Sequence, residues 1–478
     1  MKLSQLMEHI DAVYEDGDRE IAGITCDSRR VEPGWIFVCI NGVQQDGHAY
    51  APKAAQAGAV AVVTERDMGL PNQIIVSSTR KAWANMCAAW FGYPADRLHM
   101  VGITGTNGKT STAYMLKAIM EECGYKVGLI GTVQNMIGER VLPAGHTTPD
   151  PYDLHSMLAL MVAEGCTYAV MEVSSHALDQ DRVEGCLYDA AVFTNLTQDH
   201  LDYHKTMDNY LAAKKRLFTQ CRAAVVNIDD SWSGQLMEGL DCRRITYSAL
   251  KYEADYTARN IRQRADGVDF ELVGTGVIGR VRLAIPGEFS VYNAMAAASC
   301  ALTLGMPFAK VVEALCTMHG VKGRAEIVPT GRDFTVVIDY AHTPDGLEKI
   351  CKTLKKCTLG RLITVFGCGG DRDKGKRPLM GATAAAWSDY LVITSDNPRT
   401  EEPGAIIEDI LGGLKNSRVP YQVIENRPEA IHWAVHFARS GDTVLLAGKG
   451  HETYQVLKTG IIHLDEREVV ADALKELK

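Results

Sequence analysis

The sequence predicts an α/β protein of three domains: a small α/β domain, a central parallel sheet with helices, and a C-terminal Rossmann-like α/β domain. Three observations lead to this fold class. The 478 residues exceed the length of one ordinary domain. From Leu98 onward, apolar strand-like runs alternate with helical segments, which is the pattern of βαβ units. The same alternation starts again near Gly323, so we predict domains at residues 1–97, 98–322 and 323–478.

The individual elements follow from short apolar runs that are bounded by polar turns. In the first domain we expect a helix from Leu3 to Tyr14 and strands in ITCDSRR, GWIFVCI and AVAVVTE. In the central domain we expect strands in HMVGITG, KVGLIGT, YAVMEVSS, DAAVFTNLT and AAVVNID. Helices there are predicted at Ser111 to Glu122, Tyr152 to Glu164 and Tyr292 to Leu304, and antiparallel β-structure at 244–285. The last domain should have strands in FTVVIDYAH, RLITVFGCGG, YLVITSDNP, YQVIENRP and TVLLAGKGHE.

Composition excludes several classes of protein. The net charge of -9 and the lack of a long basic run argue against nucleic-acid binding. The 13 cysteines are scattered without a Cys-x-x-Cys pair, which favours a reducing cytosol over a zinc or redox site. The N-terminal run has no signal-peptide pattern, and no stretch of 18 apolar residues occurs. We therefore expect a cytoplasmic protein, and we expect it to be a monomer.

A phosphate-binding loop follows the first central strand. The run Gly105-Thr106-Asn107-Gly108-Lys109-Thr110 lies between that strand and a predicted helix beginning at Ser111. Glycines allow backbone N–H groups to turn toward an anion, and the helix N-terminus adds partial positive charge. Lys109 would reach the β- and γ-phosphates, and the Thr110 hydroxyl would bind Mg²⁺. Ile103 stands where the strict pattern has its first glycine, so the match is incomplete, but the context indicates a central sheet of the P-loop type.

Polar residues also follow other strands of the central domain. In open parallel sheets, ligands bind beyond the carboxyl ends of the strands. Glu172 suits Mg²⁺, which prefers oxygen ligands, although it is also compatible with a surface acid. His200 is a candidate metal ligand or a neighbour of one, whereas His176 and His204 fit loop caps better. Lys214 shares a helical face with apolar residues, where a lysine is usually extended toward solvent.

Four polar clusters follow strands of the last domain: DYAHTP, GCGGDR, DNPR and GKGHE. The glycine-rich cluster fails the dinucleotide pattern G-x-G-x-x-G, because its sixth position is Arg372. Arg372 and Arg399 would bind carboxylates through two parallel hydrogen bonds, and Glu452 would receive an ammonium group. Any one cluster alone is compatible with a turn. Together they predict a site for a small zwitterion.

The chain resembles the Mur ligases of peptidoglycan synthesis over nearly its whole length. The motifs TGTNGKT, HTTPDP, EVSSHAL, TNLTQDHLDYH, GRAE, DYAHTPD, FGCGGDRDKGKRP, DNPRTEEP and AGKGHETYQ occur in the family order. The resemblance implies an ATP-dependent amide ligase of peptidoglycan precursor synthesis, in which a carboxylate is activated as an acyl phosphate. Its implied substrates are a UDP-N-acetylmuramoyl dipeptide and diaminopimelate, because Arg399 in DNPR faces the extra carboxylate of that amino acid in similar enzymes. The alternative is an L-lysine-adding ligase, since lysine-adding relatives differ at this segment.

The resemblance also implies roles for individual residues. The UDP-sugar would be held by Cys26, Ser28, Val43, Gln44 and Gln45, although the last three differ from the His-Gln-Ala of one branch. The peptide end would be held by Thr147, Thr148, Ser174, Gln180 and Arg182. Residues implied at ATP, besides the phosphate loop, are Ser111, Asn293, Arg324 and Asp339. Residues implied at diaminopimelate are Arg372, Asp396, Asn397, Pro398, Arg399, Gly448 and Glu452.

The implied catalytic group consists of Lys109, Glu172, His200, Lys214 and Arg324. Two Mg²⁺ ions would be held by Thr110, Glu172, His200 and Lys214. Lys214 matches the family lysine that reacts with CO₂ to form a carbamate, so the resemblance overrides the solvent-facing interpretation given above.

Three rival functions make different predictions. A folylpolyglutamate synthetase shares the ATP loop but is disfavoured by the full first domain and by DNPR. A motor or switch ATPase would hydrolyse ATP without an amine acceptor, and the clusters of the last domain speak against it. A binding module without catalysis is disfavoured by the joint presence of Lys109, Thr110, Glu172 and His200.

Overall fold

A computed structural model describes residues 1–13, 17–42, 45–264, 267–318 and 320–477. The chain divides into two compact units. The first unit comprises Met1–Thr104, Gly124–Ala191 and Ala213–Ala223. The second unit comprises Gly105–Cys123, Val192–Ala212 and Ala224–Lys478. The predicted α/β class is confirmed, with separate sheets in the N-terminal, central and C-terminal parts of the chain.

The N-terminal sheet has five strands in the order β1-β5-β4-β3-β2, and only β1 runs antiparallel to its neighbour. The strands are β1 Ala12–Val13, β2 Gly23–Thr25, β3 Trp35–Val38, β4 Ala61–Thr64 and β5 Gln73–Val76. The helices are α1 Leu3–Leu6, α2 Ala51–Gln56 and α3 Thr79–Trp90.

The predicted helix from Leu3 to Tyr14 is shorter in the structure, because α1 ends at Leu6. Ala12 and Val13 instead pair with strand β5, which satisfies their backbone groups in a sheet. A helix of this length has little stability of its own, so sheet pairing decides the conformation. Tyr14 lies outside the described residues.

In the central part, the first unit contains six strands in the order β11-β6-β10-β7-β8-β9, with β10 parallel to both β6 and β7. These strands are β6 His99–Thr104, β7 Val127–Ile130, β8 Asn135–Ile137, β9 Arg140–Leu142, β10 Tyr168–Glu172 and β11 Tyr188–Phe193. The helices of this unit up to this point are α5 Pro151–Ala163 and α6 Ser175–Asp179, whereas α4 Lys109–Glu122 belongs to the second unit.

The later central strands follow the order β12-β13-β14-β15-β16. Strands β14, β15 and β16 are antiparallel, as predicted for residues 244–285, but the prediction is wrong for β13, which lies at the start of this stretch and pairs with β14 in parallel. They are β12 Cys221–Asn227, β13 Arg243–Ser248, β14 Tyr256–Arg264, β15 Gly267–Gly274 and β16 Val277–Leu283. The remaining helices of this part are α7 Leu201–His204, α8 Met207–Lys215, α9 Ser233–Met237, α10 Glu288–Thr303 and α11 Phe308–Thr317.

The C-terminal sheet has the order β17-β18-β22-β19-β20-β21, and all pairs except β17 with β18 are parallel. Its strands are β17 Glu326–Val328, β18 Thr335–Asp339, β19 Leu362–Phe366, β20 Tyr390–Ile393, β21 Tyr421–Val423 and β22 Thr443–Ala447, followed by the hairpin β23 Tyr454–Leu457 and β24 Gly460–His463. The helices are α12 Pro344–Cys357, α13 Lys376–Trp387, α14 Pro403–Leu411, α15 Arg427–Phe437 and α16 Glu466–Glu476.

Both faces of this last sheet are buried. Val337 and Leu445 pack in one apolar cluster, whereas Val336, Ile338 and Val444 pack in another. Alternate residues of a strand point to opposite faces, so helices must cover both sides of the sheet. With the faces covered, polar side chains that follow the strands gather at the carboxyl edge.

None of the helices in the described ranges is long and apolar enough to cross a membrane.

Candidate functional site

The phosphate loop connects strand β6 to helix α4. The helix begins at Lys109, two residues earlier than predicted, and Gly108 is its N-terminal cap. Gly108 has φ +87°, and a Cβ at this position would lie 2.4 Å from Asn293 Oδ1. Glycine is therefore required both by the left-handed backbone and by the close approach of Asn293. The loop brings the N-terminus of a 14-residue helix to the end of a buried strand, as a phosphate cradle requires.

The segment after strand β11 anchors this loop. The backbone N–H of Asn107 donates to Asn195 Oδ1 (3.0 Å), and Asn195 Nδ2 donates back to the Asn107 carbonyl (3.1 Å). The hydroxyl of Thr194 also donates to that carbonyl (2.6 Å). Asn107 Nδ2 reaches Asp345 Oδ2 at the start of helix α12 (2.7 Å). Sequence reasoning did not single out Asn195 or Asp345, because their partners lie far away in the sequence.

The two side chains predicted to act on phosphate lie at the start of the helix. Lys109 Nζ donates to the carbonyls of Gly105 (2.9 Å) and Thr106 (3.0 Å). Thr110 is 2% exposed, and its hydroxyl accepts a hydrogen bond from Arg324 Nη2 (3.0 Å). A lysine, a hydroxyl and an arginine therefore converge at the phosphate loop.

Arg324 and Asp339 lie together in the same unit. The Asp339 carboxylate accepts hydrogen bonds from the backbone N–H groups of Ala325 (2.6 Å) and Ala341 (2.8 Å). Burial raises the pKa of Asp339, although nearby Arg324 opposes that shift. The guanidinium of Arg324 also lies over the ring of Tyr340, 4.6 Å from its centroid. This packing fixes the direction of Arg324, whose Nε has no hydrogen-bond partner among the described residues.

A charged cluster surrounds Asp199, the residue before the predicted His200. His200 Nε2 lies 3.4 Å from the Asp199 carboxylate, Lys376 Nζ 3.9 Å and His342 Nε2 4.0 Å. Burial alone would raise the pKa of Asp199, but the two imidazoles and the ammonium lower it to about 2. Burial lowers the pKa of His342 to about 4, and its Nδ1 donates to the Tyr340 carbonyl (2.9 Å). His342 is therefore a neutral imidazole at neutral pH.

In the first unit, Glu172 ends strand β10 and is 1% exposed. Its carboxylate accepts hydrogen bonds from the Thr132 N–H (2.9 Å) and from the Thr132 hydroxyl (3.0 Å). A Cβ on Gly131 would lie 2.4 Å from Glu172 Oε1, so the chain leaves room for this carboxylate. The interpretation of Glu172 as a surface acid is therefore excluded. Thr132 escaped sequence reasoning, because a threonine after a strand carries no distinctive signal.

The residues implied at the peptide end of the substrate form one network in this unit. The Thr132 hydroxyl lies 3.0 Å from that of Thr147. Thr148 Oγ1 donates to the Glu172 carbonyl (2.8 Å) and accepts from the Ser174 N–H (3.0 Å).

Arg182 completes this network. Its Nη2 donates to Gln180 Oε1 (2.8 Å), its Nη1 to the Thr148 carbonyl (3.2 Å), and its Nε lies 3.2 Å from Asp150 Oδ1. The structure thus brings together all five predicted residues of the group around Glu172.

Lys214 lies on helix α8 and is only 1% exposed. The solvent-facing interpretation of Lys214 is therefore wrong.

The predicted sugar-binding residues are more scattered. Cys26 is exposed, Ser28 begins a 3₁₀ turn capped by Asp27, and exposed Gln45 accepts a hydrogen bond from Tyr50 (3.0 Å). Val43 and Gln44 lie outside the described residues.

In the C-terminal domain, Lys449 organises three of the predicted residues. It is fully buried, and its Nζ lies 3.0 Å from Asn397 Oδ1, 2.9 Å from Glu452 Oε2 and 3.4 Å from Asp396 Oδ1. Asn397 Nδ2 donates to the same oxygen of Glu452 (2.9 Å). The sequence predicted that Glu452 binds the ammonium group of a ligand. In the structure Glu452 instead contacts the ammonium group of Lys449, a residue that the sequence analysis did not single out. Gly448 donates its N–H to the Asp339 carbonyl (3.0 Å), which links this group to strand β18.

The side chains around Lys449 bind one another, whereas the described hydrogen-bond partners of Arg399 are backbone groups. Its Nη1 donates to the Gly370 carbonyl (2.8 Å), and its N–H donates to the Val456 carbonyl (3.0 Å). Burial lowers the pKa of Arg399, and the neighbouring charge of Arg372 adds to the effect. Pro398 turns the chain against the glycine-rich segment, since a Cβ on Gly370 would lie 1.9 Å from its carbonyl oxygen. Two guanidinium groups therefore lie near each other, and none of the contacts of the described residues brings a carboxylate to Arg399, an arrangement that favours an anionic ligand.

A buried ion pair holds the backbone next to the residues around Lys449. Arg427 and Glu466 are both 0% exposed, with Arg427 Nε 2.8 Å from Glu466 Oε1. Arg427 also donates to the carbonyls of Ser395 (3.3 Å) and Ala447 (2.8 Å), which follow β20 and end β22. The pair fixes the strand ends from which DNPR and GKGHE begin.

Comparison with known proteins gives three family matches. A model described as the Mur ligase middle domain matches residues 103–301. A model described as the Mur ligase, glutamate ligase domain, matches residues 323–450. A model described as the Mur ligase family, catalytic domain, matches residues 20–89.

Curated relatives align over almost the whole chain. A protein of Caldanaerobacter subterraneus subsp. tengcongensis is 49% identical over 461 residues, covering 96% of this chain and 95% of the relative. A protein of Syntrophomonas wolfei is 45% identical and covers 99% of both chains. Both bear the name UDP-N-acetylmuramoyl-L-alanyl-D-glutamate–2,6-diaminopimelate ligase.

Two solved structures resemble this chain over at least 95% of its length. A ligase of the same name is 32% identical, with a TM-score of 0.72 over 100% of this chain and 99% of the other. A MurF ligase from Thermotoga maritima in complex with ADP has a TM-score of 0.64 at 18% identity, covering 95% and 97% of the two chains, and it supports the fold alone.

Proposed function

The chain belongs to the Mur ligase family, and on that premise we propose that it is an ATP-dependent ligase of peptidoglycan precursor synthesis. It joins meso-2,6-diaminopimelate to the D-glutamyl γ-carboxylate of UDP-N-acetylmuramoyl-L-alanyl-D-glutamate. Relatives that bear the corresponding name are 41–49% identical over nearly their full length, which supports this substrate pair.

The observation that carries the choice of diaminopimelate over lysine is the environment of Arg399. Diaminopimelate has a carboxylate at each end, whereas lysine has only one. Arg399 is half-buried beside Arg372, and its side chain donates only to backbone oxygen in the described contacts. A second carboxylate would satisfy this guanidinium by charge-assisted hydrogen bonds. Lysine would leave it partly desolvated without an anionic partner, which is unfavourable.

The reaction has two steps. The D-glutamyl carboxylate attacks the γ-phosphorus of ATP, ADP leaves, and an acyl phosphate forms. The free amine of diaminopimelate then attacks the acyl carbon, inorganic phosphate leaves, and the amine loses a proton. We assign Lys109 and Arg324 to neutralising the phosphates, since both converge at the loop. Catalysis of this kind depends on positioning and charge stabilisation rather than on a protein nucleophile.

Mg²⁺ fits the oxygen donors of the assigned residues. Glu172 offers a carboxylate in a space kept open by Gly131, and Thr110 offers a hydroxyl. Hard oxygen donors of this type suit Mg²⁺, with water filling the remaining positions. We assign Thr110, Glu172, His200 and Lys214 to two Mg²⁺ ions, which would supply neutralisation of phosphate charge.

A carbamate on Lys214 is the second part of this assignment. The neutral amine would attack CO₂ and release one proton, giving an anionic group with two oxygens. The 1% exposure of Lys214 supports the idea, because a buried side chain that becomes a metal ligand must lose its positive charge. The carbamate, the monomeric state and the cytoplasmic location stay predictions.

The test is a phosphate-release assay combined with mass analysis of the product. With ATP, Mg²⁺ and the UDP-dipeptide, phosphate release should require diaminopimelate, and the product should gain one diaminopimelate less one water. We expect kcat/KM for L-lysine to be lower by at least about 100-fold, because the guanidinium of Arg399 loses an anionic partner. A preference for L-lysine would overturn the substrate, and ATP hydrolysis without an amine would overturn the ligase.

A further inference from the structure

Three potential metal-binding side chains meet on helices α15 and α16. His432 and His436 lie on α15, and Glu476 is the last residue of α16. One ligand atom from each lies within 4.8 Å of the other two. The reaction proposed above uses none of these residues.

The spacing on α15 places both imidazoles on one face. Residues four apart are neighbours on a helix surface, and the two rings are stacked with centroids 6.2 Å apart. His432 Nδ1 lies 3.4 Å from Glu476 Oε2, and His436 Nε2 lies 3.8 Å from the same oxygen. Both imidazoles therefore point toward one carboxylate.

The tautomer of His436 is fixed by the backbone. Its Nδ1 lies 2.8 Å from the carbonyl oxygen of His432. A carbonyl oxygen can only accept, so Nδ1 carries the proton, and in the neutral ring Nε2 presents its lone pair toward Glu476. Metal-bound histidines commonly have this arrangement, in which the other ring nitrogen donates to a carbonyl.

Local electrostatics also favour a cation here. Helix α15 ends at Phe437 and α16 ends at Glu476, so the negative ends of two 11-residue helices lie near the cluster.

We propose that His432, His436 and Glu476 form a binding site for a divalent transition-metal cation of the zinc type, which cross-links α15 to α16. Two imidazole nitrogens and one carboxylate oxygen are a donor set typical of Zn²⁺, Ni²⁺ or Cu²⁺, whereas Mg²⁺ prefers oxygen alone. His432 is partly exposed and the other two residues are exposed, so water completes the coordination. Small side-chain rotations bring the three atoms to the coordination distances of zinc, which are about 2.0–2.2 Å.

This site lies at the edge of the sheet opposite the strand ends. Helix α15 begins at Arg427, which contacts the carbonyls of Ser395 and Ala447 at the carboxyl edge. It ends at Phe437, whose carbonyl accepts from Arg361 just before strand β19 begins. Metal bound at the end of α15 therefore stabilises the domain without entering the amino-acid site.

The experiment uses the full chain without an affinity tag, Zn²⁺ alone as the probe, and calorimetry together with thermal unfolding. Zn²⁺ should bind and raise the melting temperature of the parent. His436→Gln and Glu476→Gln should each weaken binding at least about 10-fold, since each removes one of three ligands. Both substitutions are at exposed positions, so folding is retained.

His463→Gln is the matched control. His463 Nε2 lies 2.7 Å from Glu468 Oε2, an exposed pair that offers only two ligands. This variant should bind Zn²⁺ as the parent does. Co²⁺ bound to the parent should give visible absorption bands that His436→Gln loses. Equal Zn²⁺ binding by the parent and both ligand variants would overturn the proposal, because the ion would then be held elsewhere, for example by cysteines. Phosphate release is measured in parallel and should be unchanged in all variants.

Discussion

His155 lies on helix α5 and is completely buried. Neither ring nitrogen has a hydrogen-bond partner among the described residues. Burial therefore lowers the pKa of His155 to about 4 from the ordinary 6.5, and no charged neighbour within the described ranges contributes to that shift. The folded protein holds a neutral imidazole, whereas the unfolded chain takes up a proton below pH 6.5. Unfolding is thus coupled to proton uptake between pH 6.5 and 4.

The sign of the effect follows from linkage. In this window the unfolded state binds more protons than the folded state, so the free energy of unfolding falls as the pH falls. Each pH unit corresponds to about 1.4 kcal/mol, so the loss between pH 6.5 and pH 5 is about 2 kcal/mol from this residue alone. In the variant His155→Leu this loss should disappear. For a cooperative unit of 150–250 residues, 2 kcal/mol corresponds to about 4–8 °C in melting temperature.

The assay is thermal unfolding of parent and His155→Leu at several pH values from 7.5 to 5. The melting temperature of the variant relative to the parent should rise by about 4–8 °C across this range, because only the parent loses stability through this histidine. His9→Leu, at an exposed position, should show no such pH-dependent difference. A constant difference between parent and His155→Leu at every pH would refute the reasoning, since the imidazole would then titrate equally in both states.

Three further predictions concern the site. Lys109→Ala should abolish phosphate release because the loop loses its ammonium, and residual turnover above about 1% would contradict that role. Arg399→Lys should raise the KM for diaminopimelate about 10- to 100-fold while changing the KM for ATP little, because lysine cannot make two parallel hydrogen bonds; equal effects on both KM values would count against it. Glu466→Ala should destabilise the protein by about 3–5 kcal/mol, because it leaves Arg427 buried without its counter-charge. The double variant Arg427→Met, Glu466→Leu should have a higher melting temperature than Glu466→Ala. A lower melting temperature of the double variant would show that the unpaired charge of Arg427 does not cause the destabilisation.

The parallel strands of the central and C-terminal sheets could be predicted well, because buried parallel strands are short apolar runs followed by polar clusters. The antiparallel strands β8, β9 and β17 were missed, because each has only three residues. Several helix boundaries differ from the predicted ones. Helix α10 begins at Glu288 rather than Tyr292, since Gly287 with φ +101° starts the helix one turn earlier. Strand β1 was missed because pairing with β5 overrides the helical pattern after Leu6.

Residues of the candidate site could be predicted where they belong to a motif of neighbouring residues. They were missed where residues far apart in the sequence come together in the fold. Glu172 and Arg399 stand out because they follow strands. The partners that hold them in place, such as Thr132 and Gly370, become visible only when the chain is folded. The local sequence around Lys214 led to a wrong prediction. Its apolar helical face resembles an exposed amphipathic surface, but the side chain is buried. The domain boundaries at 97 and 322 and the assigned roles stay predictions.

The contacts of Lys109 with its own loop have a consequence for inhibitor discovery. Its ammonium is held by the carbonyls of Gly105 and Thr106. A ligand that draws the lysine away must provide anionic oxygen to replace both acceptors, since a partly buried ammonium without them is unfavourable. Neutral adenine-like fragments have no such oxygen and should bind weakly, however well their rings pack. Screening libraries against this loop should therefore favour phosphate mimics, and potency should follow the charge that a compound places beside Lys109.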